Sequence, residues 1–129
     1  ILRDGSIIRG NMERGQVLRR RIDAVTARHA LEHQLIFTGY PCLWFVEIRN
    51  AQGEMDNGLK TLFMQELIAR GIFFQGVFCM TPAHSENEVE ETVQAWDAAC
   101  AVLREAIDLG SVAGLLEGRE IRPVFRKTR

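Results

Sequence analysis

At 129 residues and 47% hydrophobic content, the chain is sized for one domain built around one core. Its 16 Lys+Arg against 17 Asp+Glu leave a formal net charge of −1, which excludes a global field favouring nucleic acid or an anionic membrane surface. No apolar run reaches the length of a membrane span, and the start ILRDGSIIRGNMERG lacks the continuous apolar stretch of a signal peptide, so a cytoplasmic protein is expected.

The three cysteines, Cys42, Cys79 and Cys100, are dispersed among apolar neighbours, as suits buried thiols in a reducing compartment rather than a disulfide frame or a metal site. The chain begins at Ile1 rather than Met, so a processed or excerpted piece of a longer protein is one expectation.

The first periodic segment runs from about Glu13 to His33. Leu18, Ile22, Val25 and His29 recur at helical spacing, and Arg19, Arg20, Arg21, Asp23 and Arg28 occupy the other sides. In LIFTGYPCLWFVEIRNAQG, two short β-type runs flank Gly39 and Pro41. The second run puts Cys42, Trp44, Val46 and Ile48 on one face and turns polar on the other at Glu47 and Arg49. A strand hairpin or bent strand, closed by the Asn50–Gly53 turn, is expected.

Asn57 is the expected N-cap of a helix through GLKTLFMQELIARG, with Leu59, Leu62, Phe63 and Leu67 inward. Gly71 is placed to end it in a left-handed conformation, followed by an apolar Ile72. IFFQGVFCM then reads as a strand broken at Gln75–Gly76. Ser85 and Glu88 form an S-x-x-E capping box, and Val89, Val93, Trp96, Cys100, Leu103 and Ile107 keep helical register as far as Gly110.

The element order is therefore α-β-β-α-β-α, an α+β fold with a small, at least partly antiparallel sheet of about three strands covered by helices. Residues 1–117 are expected to form one domain and residues 118–129 a basic tail carrying Arg119, Arg122, Arg126, Lys127 and Arg129. The tail lacks the aromatic interleaving of a nucleic-acid arm, which leaves a solvated end or one that packs on a neighbouring domain.

Two local patterns invite chemistry. HALEH, residues 29–33, fits H-x-x-E-H, which on a helix places His29 and His33 on one face for zinc with Glu32 as general base, a small zinc hydrolase. The bland alternative is a pair of histidines in the last turn of a helix, favoured by its dipole. His84 could act as a base if Thr81 or Ser85 lay within reach, but at N′ of a capped helix it equally serves to fix the angle at which strand enters helix. Glu86, Glu88, Glu90 and Glu91 crowd the first turns of that helix, where its dipole favours acids without any metal. The chain has no Walker loop, no G-x-G-x-x-G after a strand and no G-x-S-x-G elbow.

Residues 59–103, LKTLFMQELIARGIFFQGVFCMTPAHSENEVEETVQAWDAACAVL, resemble the C-terminal domain of the class III, fold-type I pyridoxal-phosphate enzymes, particularly glutamate-1-semialdehyde 2,1-aminomutase and related aminotransferases. ELIARGIFF is similar to the family's helix-to-strand step, and MTPAHSENEVEETV to its A-H-[ST] step followed by an acidic helix. Ala83, His84, Ser85 and Val89 stand at the corresponding places. Upstream, the arginine-rich helix and GYPCLWFVEI resemble more loosely the helix and strand of the same domain. A loop of the type A-P-S-x-F-E-A is trimmed to Phe74, Gln75 and Gly76, and its glutamate has no counterpart, which leaves a related aminotransferase or a diverged member open.

Pyridoxal-phosphate chemistry needs a lysine, an acid facing the ring nitrogen and a phosphate cup. The lysines here are Lys60, in a helix's first turn, and Lys127, in the tail. The resemblance thus implies a segment with no catalytic or cofactor-binding residues of its own. It implies pyridoxal phosphate in the parent enzyme, an N-terminal large domain and a second copy as partners, and Phe73, Phe74, Gln75 and Gly76 as the residues nearest the substrate entrance. A stand-alone α+β binding or dimerisation module is the alternative.

Overall fold

The structure is a computed structural model and describes residues 5–122. Its elements follow the expected order: α1 (Ser6–Arg28), β1 (Leu35–Tyr40), β2 (Leu43–Ile48), α2 (Asn57–Ala69), β3 (Val77–Cys79) and α3 (Glu86–Leu109). The three strands form one antiparallel sheet in the order β1-β2-β3.

β1 and β2 are a hairpin turned at Pro41 and Cys42, in a register pairing Leu35 with Ile48 and Tyr40 with Leu43. The period of two sends Leu35, Trp44, Val46 and Ile48 to the helix-covered face, where they are buried. The turn after β2 begins at Asn50 as expected. Its carbonyl accepts the Gly53 N–H (3.0 Å), and its side chain accepts the N–H groups of Gln52 and Glu54 (3.0 Å each).

The core is organised around Trp96 of α3, which is fully buried. Phe63 meets it edge-on with centroids 4.7 Å apart, Phe74 meets it edge-on at 6.0 Å, and Phe37 and Phe78 lie tilted at 5.8 and 5.7 Å. Its indole N–H donates to Thr26 Oγ1 of α1 at 3.1 Å, so the polar edge of the ring is satisfied inside the core. α1 adds Leu18, Ile22 and Val25 and lies close against the hairpin turn: a Cβ added at Gly15 would sit 1.7 Å from the Pro41 carbonyl oxygen.

Three boundaries depart from the sequence pattern. α1 ends at Arg28 rather than near His33, because Ala30 takes a left-handed φ of 53° and Leu31, fully buried, donates its N–H back to Thr26 O at 3.1 Å. Burial of Leu31 stops this helix. α2 is capped by Asp56 and not by Asn57: Asp56 Oδ1 accepts the Leu59 N–H at 2.8 Å. The strand expected over 72–80 shrinks to Val77–Cys79, since Gly76 has φ 94° and turns the chain out of the sheet. A further departure concerns the thiols: all three cysteines are free as expected, but Cys79 is exposed and Cys42 is half-buried, leaving Cys100 as the buried one.

The other end signals behave as read. Gly71, at φ 82°, follows α2, and Ile72 N–H returns to Leu67 O at 3.0 Å. Gly110 closes α3. Beyond it, residues 112–121 run back along α2, where Glu117 N–H donates to Gln65 Oε1 (2.8 Å) and Ile121 N–H to Thr61 Oγ1 (3.0 Å). Arg126, Lys127 and Arg129 lie outside the described residues. Among the described residues no helix is long and apolar enough to cross a membrane.

Candidate functional site

The segment between α2 and α3 carries the residues that sequence reasoning places nearest a substrate. It leaves α2 at Gly71 and alternates: Phe73 is 78% exposed, Phe74 is 1% exposed, Gln75 is exposed and Gly76 is buried. Phe74 is a core residue, packed edge-on against Phe63 (6.1 Å) and Trp96, so the surface of this segment is Phe73 and Gln75. The Gly76 carbonyl accepts the Val46 N–H at 2.9 Å, which ties the segment to the middle strand just before β3 begins.

Lys60 stands over that tie. A Cβ added at Gly76 would meet Lys60 Nζ at 3.5 Å and Lys60 Cε at 3.6 Å. The sequence does not announce this meeting, because Lys60 and Gly76 are brought together only by how α2 lies across the sheet. Phe73 also borders a cavity of about 330 Å³ between β3 and α3, whose walls include Ile72, Val77, Cys79, His84, Glu88 and Glu91.

His84 closes the turn from β3 into α3. Its backbone N–H donates to Thr81 O (3.1 Å), and its ring Nδ1 accepts the Thr81 backbone N–H at 3.0 Å with the Thr81 hydroxyl at 3.3 Å. With Nδ1 engaged by a backbone donor, the imidazole serves as a brace fixing the angle between strand and helix. Ser85 then caps α3: its N–H donates to Glu88 Oε2 at 2.8 Å, its hydroxyl donates to the same carboxylate, and its Oγ accepts the Asn87 N–H at 3.2 Å. These hydrogen bonds, led by that from the Ser85 side chain, hold the Glu88 carboxyl below the usual glutamate range.

The acidic first half of α3 also pairs across to α1. Arg21 reaches Glu90 at 2.6 Å, and the Glu90 carboxyl is lowered by the Gln94 hydrogen bond and then by Arg21. Deeper in the same interface, burial and then the nearby Asp97 charge push the Cys100 thiol up to about 12.

The H-x-x-E-H geometry is not formed. α1 ends before it, so His29 sits at the C-cap and His33 in the turn leading to β1 rather than on one helical face. His29 Nε2 is paired instead with Asp97 Oδ1 at 2.6 Å, and among the described residues no group of three or more His, Cys, Asp or Glu is arranged to hold a metal ion.

Lys60 is the one lysine among the described residues, and it is half-buried beside Gly76.

The fold, a three-stranded antiparallel sheet with helices packed on one face, recurs in solved structures. No protein-family model and no curated protein sequence matches the chain. Solved structures do. The chain is similar to an omega-transaminase from Sphaerobacter thermophilus, with 22% identity and a TM-score of 0.61 over 72% of this chain and 23% of that one. It is similar to the FumI protein of Sphingopyxis sp. MTA144, solved in its PLP internal aldimine form, with 19% identity and a TM-score of 0.67 over 79% of this chain and 24% of that one. An S-selective transaminase from Arthrobacter sp., solved with alanine bound, gives 18% identity and a TM-score of 0.58 over 73% and 24%. The chain thus has the fold of one part of these enzymes and spans about a quarter of their length.

Proposed function

We propose that the chain is the C-terminal domain of a pyridoxal-phosphate-dependent aminotransferase related to glutamate-1-semialdehyde aminomutase, a cytoplasmic homodimer whose N-terminal large domain holds the cofactor and the reacting lysine. The observation that carries this reading is that two solved transaminases and the FumI protein, solved in its PLP internal aldimine form, each contain this fold as about a quarter of their chain. The A-H-S turn, with His84 bracing it and Ser85 capping the next helix, supports it from the sequence side.

In this reading the segment Phe73–Gly76 forms part of the wall of the substrate entrance. Phe73 supplies an exposed apolar surface, and Gln75 a neutral hydrogen-bonding group beside it. Phe74 anchors the segment in the aromatic core so that its neighbours hold their positions, and the Lys60 amine lies beside Gly76. Pyridoxal phosphate, bound by the parent enzyme, supplies the electron sink for amino transfer.

The test is spectroscopic. The 129-residue chain mixed with pyridoxal phosphate should show no absorbance of lysine-bound cofactor, whereas the natural protein containing this segment should show it and keep it in the Lys60→Ala variant. Lysine-bound absorbance in the short chain that disappears in Lys60→Ala would overturn the assignment.

A further inference from the structure

Among the described residues, Trp44 Nε1 is the one fully buried side-chain nitrogen or oxygen with no hydrogen-bond partner. Trp44 is 1% exposed, and a donor buried to that degree carries its full desolvation penalty unless something accepts from it. Trp96 shows the ordinary solution, donating its indole N–H to Thr26.

Trp44 is also a wall of a cavity of about 270 Å³ between α1 and the hairpin of β1 and β2. Gln16, Arg19 and Arg20 line the helix side, and Gly39, Tyr40 and Pro41 the hairpin side. These walls are held in place by backbone contact: α1 meets the Pro41 carbonyl at Gly15, and a Cβ added at Gly39, whose φ is 119°, would lie 2.5 Å from the Leu43 carbonyl oxygen. The chemistry of the walls is one-sided. Arg19 is paired with Asp23 at 2.8 Å and lies 4.2 Å from the Phe37 ring centroid, so its charge is already compensated. Arg20, one helical turn from Gln16 on the same face, has no ion-pair or hydrogen-bond partner among the described residues, and no acid forms part of the wall. The cavity thus combines one uncompensated cation and one buried N–H donor with the apolar surfaces of Tyr40, Pro41 and the Trp44 ring.

We propose that this cavity binds a small carboxylate carried on a flat apolar body. The Arg20 guanidinium pairs with one carboxylate oxygen, the Trp44 indole N–H donates to the other, and Tyr40 and Pro41 flank the body. A phosphate would call for more donors, such as the backbone N–H groups of a helix N-terminus, whereas Gln16 and Arg20 lie well inside α1. The volume falls just below the roughly 300–1,000 Å³ of small-molecule sites, which suits a body of about one ring. The site shares no wall residue with the Phe73–Gly76 segment and is separate from the proposed substrate entrance.

The indole N–H is itself the reporter. In the natural protein carrying this segment, isotope-labelled at its tryptophan indole nitrogens, the Trp44 resonance is the one lost in Trp44→Phe. It should shift and saturate on titration with sodium benzoate, and stay in place with inorganic phosphate or sodium chloride at the same concentration. Arg20→Gln should weaken the benzoate response about 10-fold, the factor carried by one lost charge-assisted hydrogen bond, while Arg104→Gln, on α3 and paired with Asp108, should leave it unchanged. A Trp44 resonance unmoved by benzoate, or moved equally by phosphate or chloride, overturns the site. So does an Arg20→Gln protein that binds benzoate as its parent does, or equal weakening in Arg104→Gln, which would make the effect one of net charge.

Discussion

Gly15→Ala sets two physical effects against each other. Gly15 lies within α1, and helix propensity alone favours alanine there by about 0.8–1.0 kcal/mol. The packing says otherwise: the new Cβ would fall 1.7 Å from the Pro41 carbonyl oxygen, 2.5 Å from its carbon and 3.2 Å from the Cys42 nitrogen. All three are backbone atoms of the hairpin turn, so no side chain can swing aside, and restoring ordinary contact requires α1 to back away by roughly 1.5 Å. That withdrawal loosens Leu18 and Ile22 from the core, and overpacking of this kind costs about 1–3 kcal/mol or somewhat more.

A clash this close to backbone atoms sits at the upper end of that range, so after the propensity gain the net expectation for Gly15→Ala is destabilisation of about 1–2 kcal/mol, or a fall in Tm of roughly 4–8 °C for a chain of this size. Gly10→Ala is the control in the same helix: its Cβ would meet only the flexible Arg14 guanidinium, and it should stabilise by up to about 1 kcal/mol. Urea unfolding of both variants with unchanged m-values decides the matter. A Gly15→Ala protein as stable as the parent would refute the argument from close approach.

Other positions test other links. Thr26→Val keeps the shape of a buried side chain but leaves the Trp96 indole N–H without its acceptor, so it should cost about 1–3 kcal/mol in equilibrium unfolding followed by tryptophan fluorescence. Ser85→Ala removes the cap of α3 and should cost about 1 kcal/mol. Glu88 has a folded-state pKa below its unfolded value, so its contribution is present above the ordinary glutamate range and is lost as pH falls through the lower folded value; Tm measured against pH should therefore fall less steeply on the acid side for Glu88→Gln than for the parent. Cys100, with its thiol pushed up to about 12, should resist alkylation at pH 8 in the folded protein and react once urea exposes it.

Where the sequence carried a local chemical signal, the structure follows it. The Ser85–Glu88 capping box, the Gly71–Ile72 ending and the period-two face of Trp44, Val46 and Ile48 all depend on interactions within a few residues, and each forms as read. The end of α1 was not legible, although it uses the same backward bond as the end of α2. At the left-handed position stands Ala30 instead of glycine, and the advantage that outweighs its strain is the burial of Leu31 in a core assembled from distant elements. Asn57 and Asp56 are both good caps by residue type, and only the backbone geometry chose between them. Lys60 beside Gly76 and the unpartnered Trp44 N–H are tertiary facts with no local signature.

The stretch from Ile72 to Met80 is where pattern and structure diverge most, and the reason bears on function. Its alternation suits a full strand, but Phe74 is drawn into the aromatic cluster around Trp96, and Gly76 must then take φ 94° to bring Val77 into register with Phe45. Gly76→Ala therefore asks a side-chain-bearing residue to adopt a left-handed backbone at about 1–2 kcal/mol, while its Cβ would stand only in ordinary contact with Lys60. In the isolated chain that strain should appear as lost stability. On the proposed reading of the chain as one domain of a larger aminotransferase, it should also raise KM for a carboxylate substrate more than it lowers kcat, because the groups displaced would be Phe73 and Gln75 at the proposed entrance and not the reacting lysine. Equal loss in kcat and kcat/KM would instead place this segment against the transition state and sink the reading of it as an entrance wall.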